Sequence, residues 1–120
     1  MAPAHAAGAS PYAQAVLADA PAVYYRLDDG TTTLHDSSGH GYDGSIPAGV
    51  IYDNSGATEG DANGSVRIDA EHAVVVPDAG LPAPDHAQTV ELWVRPDPTL
   101  RDSNPHTLIS ANGWDLTWIA

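Results

Sequence analysis

The sequence predicts an all-β chain of antiparallel strands, a sandwich or barrel, preceded by one short helix. Three observations carry this expectation. Short apolar runs recur at Val23–Leu27, Gly49–Tyr52, Ser65–Ile68, Ala73–Val76, Gln88–Arg95, Thr107–Ser110 and Trp114–Ile119. Eleven glycines and ten prolines supply turns between them. No helical period of apolar residues follows Pro21. Many short strands with regular turn signals are the pattern of antiparallel all-β architecture.

The elements follow in chain order. Residues 1–10 are small and read as a flexible segment, without the basic and apolar regions of a secretory leader. Ser10-Pro11 is a helix start, because serine caps the first N–H groups and proline suits the first helical position. The helix runs from Tyr12 to Asp19 and stops before Pro21. Two turns are marginal alone, so Tyr12, Val16 and Leu17 are expected to dock on the rest of the chain. Leu27 to Gly44 is mostly loop, with Gly39, Gly41 and Gly44 allowing sharp bends. Thr89–Arg95 has the clearest strand alternation, with Val90, Leu92 and Val94 on one face, ended by Pro96-Asp97-Pro98. The predicted core joins these three to Val66, Ile68, Val74 and Val76. In the last run Trp114, Leu116 and Trp118 share one face.

At 120 residues the chain fits one domain, read as 11–120. Four arginines face 16 carboxylates, there is no lysine, and the net charge is −12. Such a surface repels phosphate backbones and anionic lipid, so neither nucleic acid nor membrane is an expected partner. The absence of cysteine excludes disulfides, thiolate metal sites and a cysteine nucleophile.

Five phrases, in order, resemble laminin-G-like domains of the concanavalin A-like jelly-roll superfamily. They are Val16-Leu17-Ala18-Asp19-Ala20-Pro21 with Tyr24-Tyr25-Arg26-Leu27-Asp28, then Asp36 to Gly44, Gly64 to Asp69, Ala73 to Pro77, and Gln88 to Pro96. Tyr25, His40, Tyr42 and Ile68 depart from the family's usual residues. The resemblance implies a jelly-roll β-sandwich that is truncated, since several family strands would lie beyond Ala120. It also places Trp93 between layers. A missing set of strands implies that another polypeptide or a homo-oligomer covers the edge bearing Trp114, Leu116 and Trp118.

Asp36 and Asp43, with Gly39 between them, suggest calcium, because a glycine-bent loop offers carboxylate and carbonyl oxygens. The resemblance points the same way; the competing reading is that the aspartates cap turns. Tyr42, Tyr52 and His40 are the candidate ligand-binding residues, since aromatic faces stack on sugar rings. Zinc lacks any histidine spacing that supports it. Paired catalytic carboxylates of the glycosidase kind are not evident among Glu59, Glu71 and Glu91. Ser37 and Ser38 near His35 and Asp36 have no nucleophile-elbow motif.

The expected function is therefore a non-catalytic binding or adhesion module for a glycan or protein partner, extracellular or on a virion surface. A structural virion component, such as a phage tail or capsid-surface protein, is the alternative. A fragment of a glycoside-processing enzyme is a second alternative.

Overall fold

The structure is a computed structural model that describes residues 10–119 except 54, 62, 70, 100–102, 112 and 113. It consists of small antiparallel two-stranded sheets and one short helix. Two units divide the chain, residues 1–81 and 82–120.

In the first unit, helix α1 spans Pro11–Ala18. The Ser10 hydroxyl accepts the Ala13 N–H at 3.1 Å, and the Ser10 carbonyl accepts that of Gln14. Ser10 is thus the N-cap of the helix and part of it rather than of the flexible segment expected for residues 1–10; residues 1–9 lie outside the described residues. The helix ends at Asp19, and Ala20 follows with φ 52°, the left-handed conformation common after a helix terminus. The docked residue is Ala13, which is buried, while Tyr12 and Val16 are half-buried and Leu17 is exposed. The buried position of the helix is thus a small residue rather than one of the large apolar residues expected to dock.

Strands β1 (Thr33–Leu34) and β2 (Gly44–Ser45) pair with Thr33 opposite Ser45 and Leu34 opposite Gly44. Ser45 also bridges Val75 on its other side through two N–H···O bonds of 2.8 and 2.9 Å. Gly44 permits this approach, since a Cβ there would collide with the Val75 carbonyl. Strands β3 (Ile51–Asp53) and β4 (Ser65–Arg67) pair with Tyr52 opposite Val66. Leu34 and Ile46 join Ala13 as buried apolar side chains.

In the second unit, β5 (Pro105–Ala111) and β6 (Trp114–Ile119) form an antiparallel pair whose register shifts between Thr107 and Ile109. Such a shift is the signature of a bulge, which increases local twist. Leu116 lies opposite Ile109 and Trp114 opposite Ala111.

Four of the seven apolar runs contribute to strands. Two contribute one bridge each: Ala73–Val76 through Val75 to Ser45, and Val23–Leu27 through Tyr25 to Asp36, with Leu27 turning away at φ 60°. Gln88–Arg95 is in no strand or bridge among the described residues. Val90, Leu92, Trp93 and Val94 are 43, 42, 67 and 50 % exposed, so this segment is not the expected core strand and Trp93 is not between layers. Ile68 is exposed as well, and Val66, Val74 and Val76 are half-buried. Alternation makes a segment competent to be a strand, but a ladder needs a neighbour, and none of the described residues supplies one. Among the described residues no helix is long and apolar enough to cross a membrane.

Candidate functional site

The most organised polar feature is the loop from Asp36 to Gly44, in the first unit. Its centre is the Asp36 carboxylate. Oδ1 accepts the backbone N–H of Tyr24 at 3.0 Å and of Ser38 at 2.9 Å, and Oδ2 accepts that of Tyr42 at 3.1 Å. The Ser37 N–H donates to the Tyr24 carbonyl at 2.7 Å, and the Tyr25 hydroxyl donates to the Tyr42 carbonyl at 2.6 Å. Two segments remote in sequence are thereby fastened at both ends of the loop. Burial pushes the Asp36 carboxyl up, but the Ser38 hydroxyl and the three N–H donors outweigh it and hold the group below the ordinary carboxylate range.

Asp43 closes the loop from the other side. Its Oδ1 accepts the Asp36 N–H at 2.9 Å, and its Oδ2 lies 3.4 Å from His35 Nδ1. Gly39 and Gly41 have φ of 91° and 79°, values that favour glycine and let the chain reverse between the two aspartates. Both carboxylates are therefore committed to turn geometry. Among the described residues no three His, Asp or Glu side chains converge as metal ligands. Four of the lone-pair directions of these two carboxylates are given to backbone N–H groups, which is what the turn-capping reading expects.

The loop presents two of the three candidate ligand-binding residues side by side. The His40 and Tyr42 rings are 6.4 Å apart and tilted by 35°. His40 is exposed, and its Nδ1 lies 2.9 Å from the Ser38 hydroxyl and 3.1 Å from the Ala22 carbonyl. One edge of the ring is thus held by the protein while the remainder faces outward. Tyr42 is half-buried, and a Cβ on the buried Gly80 would sit 2.8 Å from both its ring and Val23. The missing side chain at residue 80 is what seats the tyrosine ring. Comparison of the chain with protein-family profiles, curated proteins and solved structures finds no match.

Tyr52 stands apart from this pair, on β3, with its hydroxyl donating to the Thr31 carbonyl. Burial and the Asp29 carboxylate push that hydroxyl's pKa up. Of the residues expected at an interface, Trp114 and Leu116 are half-buried on β6, and the Trp118 side chain lies outside the described set.

Sequence reading missed a second polar centre. Arg26 donates from Nε to Asn63 at 2.8 Å, and its guanidinium lies 3.4 Å from both Asp61 and Asp28. The Asp61 carboxylate also receives the Ser10 hydroxyl, so the helix start, Arg26, Asp61 and Asn63 share one network. Arg26 is the only arginine before residue 67, the one available signal that nearby carboxylates would gather round it. The Tyr24 hydroxyl is buried with no hydrogen-bond partner among the described residues. Burial is the leading reason its pKa is raised, opposed by Arg26.

Proposed function

We propose that this chain is a non-catalytic binding or adhesion module of laminin-G-like β-sandwich type, acting outside the producing cell on a glycan or protein partner. The observation that carries the reading is the paired presentation of His40 and Tyr42 on a loop pre-shaped by Asp36. Rigid loops lose little entropy on binding, and an aromatic face with a polar rim suits a sugar ring. A neutral glycan is the favoured ligand, because a surface of charge −12 disfavours anionic ones.

The local chemistry supports binding over catalysis. Ser38 and His40 meet, but the His40 ring nitrogen contacts a serine and a backbone carbonyl, with no carboxylate among the described residues to orient it as a general base. The small antiparallel sheets agree with the coarse fold class; the complete sandwich is part of the proposal.

The test is binding of the purified chain to a printed library of neutral oligosaccharides, followed by calorimetry on any hit. The expected result is millimolar to micromolar affinity, weakened about tenfold by His40→Ala, whose side chain is exposed. Tyr42→Phe, which keeps the ring seated on Gly80, should retain binding. No binding across the library, or binding indifferent to His40→Ala, overturns the reading.

A further inference from the structure

We propose that Thr89–Pro96 pairs with the same segment of a second copy of this chain, as antiparallel strands related by a twofold axis that passes between the two copies of Trp93. This inference stands independently of the ligand-binding reading. The segment alternates, with Val90, Leu92 and Val94 on one face and Thr89, Glu91, Trp93 and Arg95 on the other. Its apolar face is 43, 42 and 50 % exposed at those three residues, and no strand covers it among the described residues.

The register identifies the occupant. Residues directly opposed in an antiparallel pair share a face, so self-pairing keeps apolar with apolar only when centred on a residue. Centring on Glu91 opposes it to its own copy. Centring on Leu92 sets Glu91 against Trp93 and Arg95 against Thr89, leaving both charges unmatched. Centring on Val94 sets Glu91 against Asp97, another like-charge pair. Centring on Trp93 sets Glu91 against Arg95, and symmetry makes that ion pair twice.

The same register satisfies the proline. Leu92 then faces Val94, and Val90 faces Pro96. These pairs alternate with the Trp93 and Glu91–Arg95 positions, so they can all be non-hydrogen-bonded sites. There Pro96 forfeits no ladder bond, and apolar side chains come closest. The net charge of −12 opposes most contacts between copies, whereas Glu91 and Arg95 cancel within this segment.

Sedimentation velocity on the whole chain is the test. The wild type should dimerise reversibly. Glu91→Arg and Arg95→Glu should each weaken dimerisation by about tenfold, since two cross-strand pairs turn from attractive to repulsive. Mixing the two variants in equal amounts should restore association, because the introduced arginine of one faces the introduced glutamate of the other. Both positions are exposed, and circular dichroism of each variant should match the wild type. A wild type that stays monomeric at the highest attainable concentration overturns the proposal. So does a dimer indifferent to both substitutions, or a mixture that fails to recover.

Discussion

The carboxylate of Asp36 accepts the backbone N–H of Tyr24, twelve residues earlier, at 3.0 Å. The same carboxylate shapes its own loop through Ser38 and Tyr42. One side chain therefore joins two phrases of the sequence, and its loss should be felt in both. Asp36→Ala leaves three backbone donors without their acceptor and is expected to destabilise the first unit by about 2–4 kcal/mol in chemical denaturation. The pH dependence has a defined sign. The folded carboxyl titrates below its unfolded value of about 3.9, so its contribution is complete above that value and is lost as pH falls through the lower folded pKa. Wild type should lose stability below about pH 4 more steeply than Asp36→Ala.

Calcium can be separated from hydrogen bonding by mass action. A bound ion raises the melting temperature as its concentration rises above Kd. With the Asp36 and Asp43 oxygens already accepting N–H groups, millimolar calcium is expected to leave the Tm unchanged. A rise that a chelator reverses and Asp36→Asn abolishes would return the metal to this loop.

Tyr24 offers a substitution that improves the protein. Its hydroxyl is buried without a hydrogen-bond partner among the described residues, a cost that phenylalanine removes while the ring stays. Tyr24→Phe should stabilise the chain by about 1 kcal/mol, read as a higher denaturant midpoint at unchanged m. A lower midpoint would show that the hydroxyl does have a partner in solution.

Gly80 is buried, and its role is steric. A methyl there would lie 2.8 Å from the Tyr42 ring and from Val23, too close to keep either in place. Gly80→Ala is expected to cost about 1–3 kcal/mol, as overpacking does. Tyr42 fluorescence or ring NMR shifts should change with it, since the ring must move to make room.

Val90 distinguishes a core strand from an exposed one. At 43 % exposure, Val90→Asp should change the stability of the monomer by no more than about 0.5 kcal/mol, the usual range for surface sites. Buried in a closed sandwich, the same aspartate would cost several kcal/mol, on the order of 3–5, and unfold the chain. Equilibrium unfolding at low protein concentration decides between them.

Local chemistry by itself determined the helix and its cap, because Ser10, Pro11 and Pro21 act on neighbouring backbone. It also determined the positions of β3 to β6 to within a few residues, since alternation and turn residues are read over short windows. The tight glycine loop between Asp36 and Asp43 was equally legible, and so was the capping alternative to calcium. Only the tertiary structure decided what those aspartates hold, because Tyr24 reaches Asp36 through space and no spacing rule encodes that meeting. The Arg26 network was hidden for the same reason: Asp61 and Asn63 are 35 and 37 residues away. The fate of Thr89–Arg95 shows the limit from the other side. Its alternation is real, but whether an amphipathic strand is buried depends on a neighbour to pair with, and that is a property of the fold and its assembly rather than of the segment.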